Sequence, residues 1–145
     1  MKTVILSFLG LAFAALTANT ASAQATKLKS LSATDMGNSL QICYDVAGLG
    51  NVSSTSLTIT YSAVVTTECT NPAGNVAPGQ TKTLANQSVT RQVAVSNGRA
   101  VGCETIGGFT PGACPNNQWT GSVKDVSFSN VSISIGGKTF RTSVQ

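Results

Sequence analysis

Residues 56–65 read Ser-Leu-Thr-Ile-Thr-Tyr-Ser-Ala-Val-Val, and this stretch decides the fold class. Every second residue from Leu57 to Val65 is apolar, and the residues between them are mostly serine or threonine. Successive side chains of a strand point to opposite faces, so a period of two is typical of a strand with one buried face. The stretch therefore predicts a half-buried β-strand.

Shorter segments on both sides carry the same period. Residues 40–46 alternate in this way and end at two glycines, and residues 81–84 predict a short edge strand before a further strand at 89–95. Asn97-Gly98 tolerates positive φ at both positions, so it predicts a tight hairpin whose return strand runs to Ile106. Gly136-Gly137 similarly predicts a turn into a last strand, residues 138–144.

The longest β pattern opens at Trp119. Val126 and Phe128 occupy even positions, whereas the apolar residues of 131–135 occupy odd positions. One extra residue must reset the buried face, so the sequence predicts a β-bulge near Ser129-Asn130.

Composition limits the fold to one all-β domain. The chain has 145 residues, 36 of them serine or threonine, and only 10% are charged. This length fits a single domain, and strong helix formers are scarce. Short strands with regular turn signals and no internal repeat predict an immunoglobulin-like two-sheet sandwich of seven or eight antiparallel strands. A small closed β-barrel is the alternative.

The N-terminus predicts export. Met1-Lys2 precedes an apolar run over residues 4–16, and Ala21-Ser22-Ala23 fits a signal peptidase site. The apolar run is shorter than the ~20 residues that a transmembrane helix needs. We therefore expect a signal peptide at residues 1–23, a single domain at 24–145, secretion to the extracellular space and no membrane insertion after cleavage.

The cysteines fit an exported protein. Cys43, Cys69, Cys103 and Cys114 are an even set without the close C-x-x-C pairs of structural zinc sites. Two disulfides are predicted, and the spacing leaves all three pairings open.

Several chemistries are excluded or disfavoured. The chain has no histidine, so it lacks the base of Ser-His-Asp and Cys-His triads, and no metal or other cofactor is indicated. After removal of Lys2, eight scattered basic residues face five acidic ones, a net charge of +3 without the aromatic interleaving of a nucleic-acid site. These charges are interpreted as solvated.

The remaining site candidates are few. Glu68 and Glu104, each beside a cysteine, are the carboxylates most easily paired for glycoside hydrolysis. Trp119 is expected to pack between the sheets, although an exposed ring could stack on a sugar. The calcium candidates are oxygen-bearing side chains on or near loops, without EF-hand spacing: Asp45, Asn51, Asn71 and Asn75. The N-glycosylation triplets, relevant in a eukaryotic host, begin at Asn51, Asn86 and Asn130.

Three blocks carry a resemblance. They begin at Cys43 (CYDVAGLGN), Cys69 (CTNPAGNVAPGQ) and Cys114 (CPNNQW). Together they resemble a group of small secreted microbial proteins of uncharacterised function. The resemblance implies pairing of Cys69 with Cys114 and of Cys43 with Cys103. However, Cys43 shares a face with Gln41 and Asp45, opposite the apolar side of its strand, which leaves the second pair unexplained.

These features predict a secreted, non-catalytic binding or structural module, expected to be monomeric. Recognition is expected at the irregular segments 69–80 and 107–118, because loops on a rigid scaffold commonly carry function. The expected partner is an extracellular glycan or protein. The alternatives are a small secreted hydrolase using Glu68 and Glu104, and a host-directed effector or inhibitor.

Overall fold

The structure is a computed structural model that describes residues 25–145, so the predicted signal peptide lies outside the described residues. Residues 25–145 form eight strands and no helix, and therefore contain no helix suited to spanning a membrane. The strands are β1 (Lys27–Asp35), β2 (Leu40–Ala47), β3 (Ser54–Thr70), β4 (Val76–Pro78), β5 (Lys82–Ala94), β6 (Ala100–Ile106), β7 (Thr120–Ile135) and β8 (Lys138–Thr142).

The strands form two antiparallel sheets. One sheet has the order β1-β2-β6, and the other runs β8-β7-β3 with β5 and β4 in tandem along the remaining edge of β3. The sheets remain separate ladders and do not close into a barrel. In the described chain, strand pairing links them only through single bridges, Ala33 with Val144 and Ser96 with Arg99.

The core lies between the sheets and follows the predicted alternation. Every second residue from Leu57 to Val65 is buried, as are Leu40, Ile42 and Val46 on β2, whereas Val64 on the opposite face is exposed. The buried side chains form one continuous hydrophobic cluster with residues of β7. Since burial of one such side chain contributes about 1.5–3 kcal/mol, this cluster is the main source of stability.

The predicted bulge in β7 is confirmed. Thr60 pairs with Ser132 and Ser62 pairs with Ser129, so Asn130 and its successor occupy the space of one residue. Asn130 has φ +53°, a left-handed conformation that asparagine tolerates better than most residues. The bulge returns the odd-numbered residues from Val131 onward to the buried face.

Both predicted tight turns are confirmed. Asn97 and Gly98 have φ +51° and +72°, and Gly136 and Gly137 have φ +57° and +75°. The two turns differ in what they connect. The Gly136-Gly137 turn joins β7 to β8 within one sheet, whereas the Asn97-Gly98 turn carries the chain from β5 in one sheet to β6 in the other.

Two segment predictions need correction. Residues 69–80 are not wholly irregular, because β3 continues to Thr70 and β4 pairs back onto it. Residues 81–84 and 89–95 do not form separate strands. All of their residues except Thr81 and Val95 belong to the single strand β5, which continues through a second bulge where Asn86 has φ +49°.

Candidate functional site

The five-stranded sheet is much longer than its partner. Strands β3 and β7 have 17 and 16 residues, whereas the strands of the other sheet have seven to nine. Thr67 and Cys69, near the far end of β3, are nevertheless buried. The irregular segment 107–118 covers them, since Gly112 N donates a hydrogen bond of 2.6 Å to Thr67 Oγ1 and Cys114 is bonded to Cys69.

Segments 69–80 and 107–118 lie together at this end of the molecule, and we call them the loop end. The Cys69–Cys114 disulfide joins them, with 5.8 Å between the two Cα atoms. Gln80 N also donates to Ala113 O at 2.9 Å. A Cβ atom on Gly112 would lie 2.1 Å from Gln80 O, so only glycine permits this approach of the two backbones.

The exposed turns of the loop end are closed by their own asparagines. Asn71 Oδ1 accepts from Asn75 N at 2.8 Å, and Asn116 Oδ1 accepts from Gln118 N at 3.0 Å. Side-chain hydrogen bonds of this kind define asparagine turns. The tips, Pro72–Val76 and Pro115–Gln118, are therefore exposed but locally ordered.

The loop end is uncharged and rich in amides. Neither segment contains an acidic or basic residue, and together they contain six asparagine or glutamine side chains. Val76 is 58% exposed and borders a recess of about 360 Å³ that reaches Lys124. A second recess, of about 300 Å³, lies between Gln80 and Pro115. The two segments therefore offer hydrogen-bond donors and acceptors but no charged side chain of their own, and the nearest charges are Lys82, which donates to Thr110 Oγ1 at 2.7 Å, and the Glu68–Lys124 pair.

The prediction that Trp119 packs between the sheets is wrong. Trp119 is only partly buried and is not among the residues of the hydrophobic cluster. Its backbone N–H donates to Asn116 O at 3.2 Å, so the residue closes the last turn of the loop end. Tyr61, Phe109 and Phe128 occupy the space between the sheets instead, with ring centroids 5.5–6.2 Å apart.

The two glutamates considered for hydrolysis are not brought together. Glu68 lies on the outer face of the five-stranded sheet, since its neighbours Thr67 and Cys69 are buried, and its carboxylate is 3.8 Å from Lys124 Nζ. Glu104 belongs to the other sheet and is 3.9 Å from Arg91 Nε. These placements do not form the facing carboxylate pair that glycosidases use.

The calcium candidates have separate roles in the chain. Asp45 accepts two hydrogen bonds from Arg99, one of 2.7 Å from Nε and one from Nη2. These hydrogen bonds lower the pKa of Asp45. Asn71 closes its turn with Asn75, and Asn51 lies exposed after β2. Residues 25–145 contain no cluster of three metal-ligating Cys, Asp or Glu side chains.

The disulfide pairing implied by the resemblance is confirmed. Cys43 and Cys103 face each other across β2 and β6, with Cα atoms 4.0 Å apart. Ile42 and Tyr44 on either side of Cys43 are buried, so the bond lies on the outer face of its sheet, and Cys103 is exposed. Cys43 therefore lies on the same face as Gln41 and Asp45 because its partner is on the adjacent strand of the same sheet, and nothing needs to cover that face.

All three glycosylation triplets begin at exposed asparagines. Asn86 and Asn130 occupy the two bulges that flank β3, and Asn51 lies in the connection between β2 and β3. Their accessibility satisfies one requirement for modification.

Comparisons of the chain with protein-family profiles, curated proteins and solved structures find no match. Function must therefore be inferred from the residues and their geometry.

Proposed function

We propose that the protein is a secreted, non-catalytic binding module with an immunoglobulin-like sandwich as its scaffold and the loop end as its recognition surface. The observation that carries this proposal is the fixation of two irregular segments to one another by the Cys69–Cys114 disulfide and the Gln80–Ala113 hydrogen bond. A surface that is ordered before binding loses less conformational entropy when it binds. The exposed tips therefore suit recognition.

Export is supported by the N-terminal sequence and by the state of the cysteines. Residues 1–23 have the pattern of a signal peptide, and all four cysteines of the described chain are in disulfides. Disulfides of this kind persist in oxidising compartments. The resemblance to small secreted microbial proteins agrees with this location.

A neutral glycan is the ligand that the loop end suits best. Its amide side chains can donate to and accept from sugar hydroxyls, and the partly exposed Trp119 carries an aromatic ring of the kind that stacks on sugars. Neither segment contributes a charge for a polyanion, and the two lysines at their edges are engaged, Lys82 with Thr110 Oγ1 and Lys124 with Glu68. A host protein as partner, as in an effector or inhibitor, would use the same surface. The separation of Glu68 and Glu104 gives the hydrolase alternative no support.

The test is a glycan array followed by titration of the best ligand with two variants. Asn75→Ala/Asn117→Ala removes exposed amides whose side chains make no hydrogen bond within residues 25–145, so the turns are retained. Asn51→Ala, at a different loop, is the matched control. Loss of one or two hydrogen bonds predicts binding at least about tenfold weaker for the double variant. The control should bind like the wild type.

Two results would overturn the proposal. One is full affinity in the double variant for every glycan that the wild type binds. The other is release of reducing ends from a polysaccharide panel that is abolished by Glu68→Gln or Glu104→Gln. Capture of one host protein with no glycan bound would assign the loop end to the effector alternative.

A further inference from the structure

A third recess lies on the outer face of the five-stranded sheet. It is an open trough of about 500 Å³ whose lining includes Thr60, Asn86, Asn130, Ser132 and Arg141. We call it the outer trough. Thr60 and Cys69 are nine residues apart on β3, about 30 Å at ~3.3 Å per residue, so the trough is separate from the loop end.

The trough is built by two bulges arranged about one central residue. Thr60 pairs with Ser88 on β5 and with Ser132 on β7. The bulges at Asn86 and Asn130 therefore lie at nearly the same level on the two sides of β3. Bulges bend and twist the strand that carries them, which gives this part of the sheet its hollow.

Both asparagines present free amides to the trough. Asn86 and Asn130 have φ +49° and +53°, conformations that non-glycine residues adopt mostly at special sites. Within residues 25–145 neither side-chain amide makes a hydrogen bond, although Asn86 N donates to Ser62 Oγ at 3.2 Å. Each amide thus has both donor and acceptor capacity for a ligand.

The charge of the trough is a single unpaired cation. Arg141 pairs with Ser132 across the β7–β8 ladder. No carboxylate of the described chain lies within 4.0 Å of its guanidinium, whereas Arg91 and Arg99 each have an acidic partner. No aspartate or glutamate lines the trough. A guanidinium surrounded by hydroxyls and amides matches a carboxylate or sulfate oxyanion.

We propose that the outer trough binds an anionic saccharide. The Arg141 guanidinium holds the oxyanion, a uronate carboxylate or a sulfate ester, and Asn86, Asn130 and Ser132 bond to sugar hydroxyls. The trough volume lies within the range of small-molecule sites. One cation among many hydroxyls and amides fits a sugar better than it fits a polyphosphate, which requires several cations.

The experiment uses protein from a host that adds no N-glycans, because modification of Asn86 or Asn130 would cover the trough. Binding is measured by NMR titration with an oligoglucuronate, a sulfated disaccharide, their uncharged counterparts and inorganic sulfate. Loss of a charge-assisted hydrogen bond predicts that Arg141→Gln binds the anionic sugars about 10- to 100-fold more weakly. Lys138→Gln, on the same strand outside the trough, is the matched control and should bind normally.

The two remaining variants separate this proposal from the one for the loop end. Asn86→Gly/Asn130→Gly retains the left-handed backbone but removes both amides, and it should weaken binding of either anionic sugar. Asn75→Ala/Asn117→Ala should leave that binding unchanged. Equal affinity for charged and uncharged sugars, for sugar and inorganic sulfate, or for wild type and Arg141→Gln would refute the proposal.

Discussion

Replacement of each disulfide by an alanine pair should separate two contributions that the structure assigns differently. The half-cystines are 45 residues apart in Cys69–Cys114 and 60 apart in Cys43–Cys103. In the chain-entropy model each crosslink then contributes about 4 kcal/mol, with little difference between them. Sequence separation alone therefore predicts nearly equal losses of stability.

Burial predicts an additional loss for only one of the pairs. Cys69 is fully buried beneath segment 107–118, whereas Cys103 is exposed on a ladder whose backbone hydrogen bonds persist without the bond. Removal of a buried sulfur and loosening of the cover over Thr67 add about 1–3 kcal/mol. We expect losses of about 5–7 kcal/mol for Cys69→Ala/Cys114→Ala and about 4 kcal/mol for Cys43→Ala/Cys103→Ala.

Urea denaturation measures the free energy of global unfolding, and hydrogen exchange measures the stability of each segment. Segment 107–118 should lose protection only in the Cys69→Ala/Cys114→Ala variant, while β2 and β6 remain protected in both. Failure of Cys69→Ala/Cys114→Ala alone to fold would also show that its loss of stability is the larger one. Equal losses, or a larger loss from Cys43→Ala/Cys103→Ala, would refute the role assigned to burial.

Three further perturbations test single contacts. Gly112→Ala should cost about 1–3 kcal/mol in urea denaturation because its Cβ would overlap Gln80 O, while Gly107→Ala, whose nearest neighbour is at 3.5 Å, should change stability by less than about 0.5 kcal/mol; equal effects would contradict this. Burial raises the pKa of Tyr61 above its ordinary value of about 10, so stability should be complete below pH 10 and fall as the pH rises further, and Tyr61→Phe should reduce that fall. Because the pKa of Asp45 is lowered in the folded state, its pairing with Arg99 stabilises the fold fully above about pH 4, and this stabilisation is lost as the pH falls through the lowered pKa. In Arg99→Gln the NMR titration midpoint of Asp45 should move up toward 3.9, and an unchanged midpoint would exclude the pairing.

The two-sheet fold could be predicted from the sequence because its evidence is local. Alternation over residues 56–65 identified the buried face, and the change of parity after Phe128 located the bulge at Asn130. The Asn97-Gly98 and Gly136-Gly137 turns have the positive φ values that asparagine and glycine tolerate. Each of these signals depends on residues that are neighbours in the chain.

The failures concern pairing and packing that no pattern within a single segment marks. Residues 76–78 show no period of two, yet β4 forms because β3 offers it an open edge at Cys69. Trp119 has the size and position of a core residue, but Phe109 reaches the space between the sheets from an irregular segment. The intrinsic preference of a residue does not show whether Trp119 or Phe109 fills the space between the sheets, because tertiary packing decides this.

The two candidate sites also differ in how far local sequence could predict them. The two segments of the loop end could be predicted from their turn residues, and the resemblance implied the disulfide that joins them. The outer trough could not, because its residues come from β3, β5, β7 and β8 and are brought together only by register. The signals in the sequence were two changes of parity, one between Phe128 and Val131 and one between Leu84 and Val89, and only the first was interpreted as a bulge.

The unequal lengths of the sheets explain why the disulfides differ in environment. A short sheet over a long one leaves one end of the long sheet uncovered. Residues 107–118 cover that end, but they form no strand and so pair with no neighbouring strand. An irregular cover of this kind has few backbone hydrogen bonds, so it needs a covalent attachment to stay in place. Cys69–Cys114 supplies that attachment, and in doing so it fixes the exposed tips of the loop end. The requirement that stabilises the long sheet is therefore also the one that orders its candidate recognition surface.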